Sequence, residues 1–289
     1  MENLFKFSVQ TEEAVYDKYV VRSVSDDISA KQDNTYDELK KFEKASKIPR
    51  WLKIIQILCA LTAGCTLLGV LRAFGENIGK ESFASMWNRF VGNGVIIIIV
   101  VGVICTAVAI ALRVWELKRI KRMESSDEYK TALDECDNMH NGCYEELGVP
   151  SDADGIDVLC YPYKLNRKGK EKNGCQFAQY VPINYKIFKQ DDGLYFADVN
   201  DLIQIPLSAV KEANYVPKRV VFYGWTKDDK FNSEKYKPYK IRANNYGALF
   251  MKGYIAVSLL LDGEEKEIII PLYEQDVIEK YVAVNYTVG

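Results

Sequence analysis

The chain has 289 residues, of which 48% are hydrophobic, and its formal net charge at pH 7 is −2. This near-neutral balance argues against a nucleic-acid-binding protein, because such domains carry a basic surplus. The seven cysteines form no CxxC pair, and an odd number of dispersed thiols is typical of a reducing compartment, not of a disulfide framework.

Residues 1–50 are predicted to form a cytoplasmic N-terminal segment with a juxtamembrane helix. Residues 1–34 show no consistent period and are open to three interpretations: a short helix, a packed arm or disorder. They also lack the basic region and apolar run of a cleaved signal peptide. Asn34 or Thr35 is predicted to cap a helix that ends near Pro49.

Two apolar runs dominate the next part of the chain, at residues 51–71 and 91–112, and the only charge in them is Lys53. At about 1.5 Å of rise per residue, a helix of either length covers the roughly 30 Å hydrocarbon core of a bilayer. The sequence therefore predicts a transmembrane hairpin over residues 51–112, with a short external loop at residues 72–90. The first span is expected to direct insertion.

Basic residues flanking the two runs predict the orientation of the hairpin. Eleven lie on the terminal sides of the spans, whereas the loop has three: Arg72, Lys80 and Arg89. By the positive-inside rule, both termini are cytoplasmic and the loop is external. The eleven are Lys40, Lys41, Lys44, Lys47, Arg50, Lys53, Arg113, Lys118, Arg119, Lys121 and Arg122.

Small residues four positions apart lie inside both predicted spans, a spacing that lets two helix backbones approach closely. The pattern predicts packing within the hairpin, with a homodimer face as the alternative. No ionisable residue lies near the middle of either span, which argues against a proton relay or an ion path. The candidate packing positions are Ala60, Gly64, Gly102, Thr106, Ala107 and Ala111.

Residues 113–148 are predicted to form a cytoplasmic helical neck that ends at Gly148 and Pro150. Along this neck, the more apolar positions recur at alternating steps of three and four residues. This spacing predicts a short seam of packed side chains. The seam contains the only histidine between two cysteines, but the spacing matches no common zinc site, so no metal is expected. The seam positions are Leu133, Cys136, His140, Cys143 and Leu147.

From residue 151 to 289 the period changes to that of short strands separated by turn residues, which predicts an antiparallel meander. Apolar residues in the last segment, Glu274 to Asn285, follow a helical stripe and predict one closing helix. The predicted strands are Ile156–Leu165, Phe177–Lys189, Leu194–Val199, Leu202–Leu207, Arg219–Trp225, Tyr236–Ala243, Ala248–Leu261 and Lys266–Leu272.

A meander of seven or eight strands with a closing helix resembles a pleckstrin-homology-like (PH-like) domain, including the bacterial PH and GRAM variants, and Gly193–Val210 resembles a strand-turn-strand passage of those domains. The stretches Tyr144–Lys164 and Gly224–Glu274 resemble an uncharacterised family of bacterial proteins in which a transmembrane hairpin precedes such a domain. The second resemblance implies an architecture and no activity. The expected fold is an α+β membrane protein.

Two surfaces of the predicted β domain are candidates for binding. The loop between its first two strands carries five basic residues and one acid, Glu171, and the resemblance to PH domains implies anionic headgroups near this loop. The alternative is a solvated hairpin tip, and RNA binding is less favoured. Lysines and aromatics alternate in the second surface, residues 225–239. The five basic residues are Lys164, Arg167, Lys168, Lys170 and Lys172.

No catalytic motif accompanies these surfaces: GxSxG, P-loop and HExxH patterns are absent from the sequence. We therefore expect no enzyme, no cofactor and no nucleic-acid partner. The expected protein is a bacterial-type inner-membrane binding or scaffold module of unknown ligand that contacts anionic lipid. The alternative is an accessory subunit that binds an integral membrane partner through its hairpin. An unknown protein partner and a homodimer are both open.

Overall fold

The computed structural model describes residues 1–11, 13–75, 95–223, 236–244 and 247–286, with a few isolated positions between residues 76 and 94. The chain forms two compact units. One consists of Met1–Ala30 with His140–Gly289, and the other of Lys31–Met139.

Four long helices occupy the region between residues 26 and 147, and helices α1 and α4 each contribute residues to both units. Their bounds are α1 Asp26–Ser46, α2 Arg50–Gly75, α3 Val95–Glu124 and α4 Asp127–Leu147. Helix α1 begins at Asp26, so the predicted start at Asn34 or Thr35 is wrong. The carbonyl of Ser25 accepts the amides of Ile28 and Ser29, and two aspartates follow Ser25 in the first turn, where acids stabilise a helix.

Helices α2 and α3 are each long and apolar enough to cross a membrane. Most of their large apolar side chains are exposed; Leu68 and Ile97, for example, are 68% and 69% exposed. Helix α2 contains the predicted span 51–71, and α3 contains most of the span 91–112. The first four residues of the predicted loop continue α2, and almost all of the rest lies outside the described residues.

The unit formed by Met1–Ala30 and His140–Gly289, here called the β unit, contains fifteen described strands in three sheets. The largest sheet has the order β2-β4-β6-β7-β8-β3, with β5 paired to β4; the second has the order β1-β14-β13-β9-β15, and the smallest β10-β12-β11. The strands are β1 Glu2–Asn3, β2 Lys6–Ser8, β3 Val20–Ser23, β4 Asp154–Leu165, β5 Glu171–Asn173, β6 Val181–Gln190, β7 Gly193–Ala197, β8 Asp201–Pro206, β9 Val210–Val216, β10 Val220–Tyr223, β11 Arg242–Ala243, β12 Ala248–Met251, β13 Tyr254–Leu261, β14 Glu264–Pro271 and β15 Val284–Asn285.

Only part of this unit is a simple meander. Strands β4, β6, β7 and β8 follow one another antiparallel, as predicted, but β9 was not predicted and pairs with β13 in the second sheet. The predicted strand Ala248–Leu261 is two strands, β12 and β13, which belong to different sheets. They separate at Gly253, where a Cβ atom would overlap the ring of Tyr215.

The N-terminal residues form a packed arm of the β unit. Strand β1 pairs in parallel with β14, β2 pairs in parallel with β4, and β3 pairs antiparallel with β8. Leu4 and Phe5 are fully buried in the main core, where the Phe5 ring lies 4.8 Å from that of Tyr185. The first strands therefore connect the two large sheets.

The predicted closing helix over Glu274–Asn285 is wrong in extent. A 3-10 turn at Leu272–Glu274 leads into a four-residue helix, α5, at Gln275–Ile278, and the chain then pairs as β15 with β9. The predicted stripe still packs on the main core through Val277, Ile278, Tyr281 and Val282. The helix stops early because the backbone past residue 282 forms a ladder with β9.

Candidate functional site

The basic loop predicted from the sequence is a β hairpin between β4 and β5, here called the basic tip (residues 164–172). Its strands pair from Tyr163↔Asn173 to Leu165↔Glu171. The side-chain oxygen of Asn166 accepts the amides of Lys168 (2.8 Å) and Lys170 (3.1 Å), and Gly169 takes a positive φ of 70°. The turn is therefore ordered by its own sequence, since glycine takes such a φ without strain.

All five predicted basic residues belong to this hairpin, and Lys164 lies directly opposite Lys172. The adjacent acid, Glu171, does not neutralise them, because Lys6 of the N-terminal arm binds both of its carboxylate oxygens at 2.8 Å. Lys6 also binds Glu2 at 2.9 Å. Among the described residues, none of the five is in an ion pair. The tip therefore carries unbalanced positive charge.

Two exposed apolar side chains lie beside these charges. Leu165 in the tip is 48% exposed, and Val9 is 46% exposed. The Val9 amide donates to the Tyr163 carbonyl at 2.9 Å, which holds the arm against β4 next to the tip. The contribution of these side chains to the tip was not predicted from the sequence, because Val9 reaches the tip only through the parallel pairing of β2 with β4.

Within the β unit, the basic tip lies far from the point where the chain leaves helix α4. Strand β4 begins at Asp154, six residues after Gly148, and runs twelve residues to the tip. At about 3.3 Å per residue, the strand is roughly 36 Å long. The tip therefore projects from the opposite end of β4.

Most of the second predicted surface, residues 224–235, lies outside the described residues. Tyr236 and Tyr239, at its end, are partly buried against the smaller core beneath β10 and β12. The Tyr236 and Tyr273 rings meet edge to face at 5.0 Å. These two aromatics therefore pack against the sheet.

Among the predicted packing positions, the structure brings Gly102 against the other helix of the hairpin. A Cβ atom at Gly102 would lie 2.6 Å from Cγ2 of Thr66 in α2. The Thr106 hydroxyl donates to the Gly102 carbonyl of its own helix at 2.8 Å. The remaining positions, Ala60, Gly64, Ala107 and Ala111, are exposed.

A charged cluster that the sequence analysis did not single out joins the same two helices. Glu116 in α3 accepts hydrogen bonds from Lys53 at the start of α2 (2.9 Å) and from Arg113 (2.6 Å). Its side chain is 9% exposed. The signal in the sequence is a single acid within the basic stretch that follows the second span.

Most side chains of the predicted neck seam are buried, but one buried position is displaced by one residue from the prediction. Cys136, Cys143 and Leu147 are buried, but Ala132 is buried in place of Leu133, which is 38% exposed. Among the described residues, no three His, Cys, Asp or Glu side chains are grouped so as to hold a metal ion.

Comparisons with known proteins were made against family models, curated proteins and solved structures. None of the three matches this chain. The resemblances to PH-like domains and to a two-span bacterial family therefore remain predictions from the sequence.

Proposed function

We propose that the chain is a membrane-anchored binding module whose β domain contacts anionic lipid through the basic tip. The anchor is the hairpin of α2 and α3. Exposure of its apolar side chains to water would be unfavourable, whereas their contact with the hydrocarbon core of a bilayer is favourable. The β unit contains residues from both sides of this hairpin in the sequence. Both flanks must therefore lie on the same side of the membrane.

Basic residues favour the cytoplasmic side for those flanks, because eleven lie beside the spans and three lie in the connecting loop. The proposed location is thus an inner membrane crossed twice, with both termini cytoplasmic. The cytoplasmic leaflet is anionic and attracts nearby lysines and arginines.

The strand order supports a PH-like fold for the β domain. Strands β4, β6, β7 and β8 form one antiparallel ladder, and β9, β13 and β14 form a second. These seven strands are followed by the helical turns at Leu272–Ile278. In the proposed function, this sandwich is a scaffold that presents the basic tip.

The observation that carries the proposal is the unbalanced charge of the basic tip beside exposed apolar side chains. A lysine or arginine near an anionic leaflet contributes about 1 kcal/mol, so five together give useful adhesion. Leu165 and Val9 add apolar area that can enter the interface. The tether raises the local concentration of the domain at the membrane, so individually weak contacts suffice.

Amide hydrogen exchange of the full chain in nanodiscs tests this proposal. We expect slower exchange at residues 164–172 in anionic than in neutral lipid, and we expect moderate salt to remove the difference. Replacing the five basic residues by Gln should abolish it, whereas replacing Lys189 and Lys211 by Gln should not. Equal exchange in both lipids at low salt would overturn the proposal.

A second candidate function, an accessory subunit of an integral complex, is supported by the outward-facing small residues of the hairpin. Gly64 has no neighbouring atom within 4 Å of a Cβ placed on it. Ala60 lies one turn away on the same helix and is also exposed. A partner helix could approach α2 closely there.

A further inference from the structure

The outer face of the smallest sheet gathers basic residues that are dispersed in the sequence. Arg219 precedes β10, Lys240 and Arg242 lie at β11, and Lys252 follows β12. They surround a cavity of about 240 Å³ whose remaining lining residues are Phe250 and Met251. Among the described residues, the lining therefore has four cationic side chains and no acid.

Strand alternation explains why these residues share a face. Arg242 and Val221 lie directly opposite Phe250 on its two sides in the sheet. Arg219 and Lys252 lie directly outside β10 and β12, Lys240 ends the turn before β11, and all three line the same cavity. Residues of the opposite face, such as Phe222 and Leu249, are buried in the smaller core.

Phe250 forms the floor of this cavity and positions one of the cations. The Arg219 guanidinium carbon lies 4.3 Å from the centre of the Phe250 ring. A guanidinium in contact with an aromatic ring keeps its N–H groups available for two parallel hydrogen bonds to an oxyanion. Among the described residues, none of the four cations is in an ion pair.

We propose that this cavity is a binding site for a phosphate monoester, distinct from the basic tip. A dianion suits four converging positive charges, and arginine binds phosphate in a bidentate manner. Drug-sized ligands occupy pockets of about 300–1,000 Å³, so a cavity of about 240 Å³ fits a headgroup-sized molecule better than a nucleotide. The monoester can be a soluble metabolite or the headgroup of a lipid.

Two probes with the same chemistry distinguish these sources. Glycerol 3-phosphate is titrated by calorimetry into the full chain in phosphatidylcholine nanodiscs, with sulfate as the competing anion. In the second arm, the same nanodiscs are floated with vesicles that contain phosphatidic acid. Saturable binding of glycerol 3-phosphate would assign a soluble ligand. Flotation without binding of that probe would assign a lipid headgroup.

In either arm, we expect the Arg219→Gln/Arg242→Gln double variant to bind at least about tenfold more weakly. The matched control is Lys168→Gln/Lys172→Gln, which removes the same charge at the basic tip and should leave the soluble probe's affinity unchanged. The Lys240→Gln/Lys252→Gln variant should also weaken binding, and unchanged urea midpoints would show that each variant folds. Absence of binding in both arms, or an equal loss of soluble-probe affinity in the cavity and tip variants, would overturn the site.

Discussion

The backbone amide of Leu4 donates a hydrogen bond to the carbonyl of Glu267 at 2.8 Å, although the apolar helices α2 and α3 separate these residues in the sequence. The carbonyl of the next residue, Phe5, accepts the amide of Tyr161 at 3.0 Å. One short segment thus joins strand β14 of the second sheet to strand β4 of the large sheet. The β domain is therefore completed by residues that precede the two apolar helices in the sequence.

Phe5→Ala should destabilise the β domain by about 3–5 kcal/mol, because it removes a fully buried ring from the core. Urea unfolding of the full chain in detergent, followed by near-UV circular dichroism, measures the change. Val21→Ala is the control, since Val21 is exposed and should cost less than about 0.5 kcal/mol. Equal midpoints for the two variants would show that the arm does not support the fold.

Gly102→Val should loosen the hairpin, because the new Cβ would lie 2.6 Å from Thr66 Cγ2 and 2.9 Å from Thr66 Cβ. A new rotamer cannot move the Cβ away, and the Thr66 hydroxyl is bonded to the Thr62 carbonyl at 2.8 Å. The expected cost is about 1–3 kcal/mol, measured by thermal unfolding in detergent.

Gly64→Val is the matched control for this prediction, because its Cβ meets nothing within 4 Å. We expect no change in thermal stability. If Gly64→Val instead abolishes cellular function while the protein stays folded, the accessory-subunit alternative gains support. Similar destabilisation by both variants would contradict the packing described for Gly102.

Glu116→Gln should weaken the contact between α2 and α3 by about 1–2 kcal/mol, since it removes the charged hydrogen bond from Lys53 in the other helix. The expected change in stability is small because the Lys53 side chain is 41% exposed and water screens the interaction. Thermal unfolding of the full chain gives the readout, and Glu124→Gln, at an exposed position of the same helix, is the control. Equal thermal stabilities of the two variants would show that Glu116 does not stabilise the contact between the helices.

Asp154 should make the stability of the β domain depend on pH. Hydrogen bonds from Lys280 and Tyr281 lower the pKa of Asp154, so its ionised form is favoured in the folded state. This contribution is present above the unfolded pKa of about 3.9 and is lost as the pH falls through the lower folded value.

We therefore expect Asp154→Asn to destabilise the protein at pH 7 and to approach the wild type as the pH falls below about 4. Urea midpoints between pH 3 and pH 7 measure this convergence, and Asp152→Asn, at an exposed position nearby, serves as the control. A constant difference across the range would mean that ionisation of Asp154 does not contribute.

Local pattern was sufficient to predict the two apolar helices, the strands β4, β6, β7 and β8, and the position of the basic tip. These features depend on the composition or period of one continuous stretch. The hairpin at residues 164–172, for example, follows from its own turn residues and flanking strands. Its unbalanced charge was not predictable, because Lys6 binds Glu171 from the other end of the fold.

Features that depend on distant pairing were missed. Residues 1–34 have no clear period because their short strands take their hydrogen bonds from β4, β8 and β14. Strand β9 was overlooked because its partner, β13, lies beyond the smallest sheet in the sequence. The cavity proposed to bind phosphate combines residues of β11 and β12 with residues beside these strands and β10, so no single stretch of sequence indicates it.

The central claim is that a membrane hairpin lies between two parts of one β domain, so that both parts face the cytoplasm. Cysteine labelling with a membrane-impermeant maleimide tests it in intact and permeabilised cells. In a Cys175→Ser background, the other cysteines lie in the spans or are buried. Reporters are placed one at a time by Val9→Cys in the arm, Leu165→Cys in the tip and Ser82→Cys in the loop.

We predict that the arm and tip reporters are labelled only after permeabilisation, and that the loop reporter is labelled in intact cells. Labelling of the arm and tip reporters on different sides of the membrane would contradict the account, because residues 1–23 and 154–285 could not then form one domain.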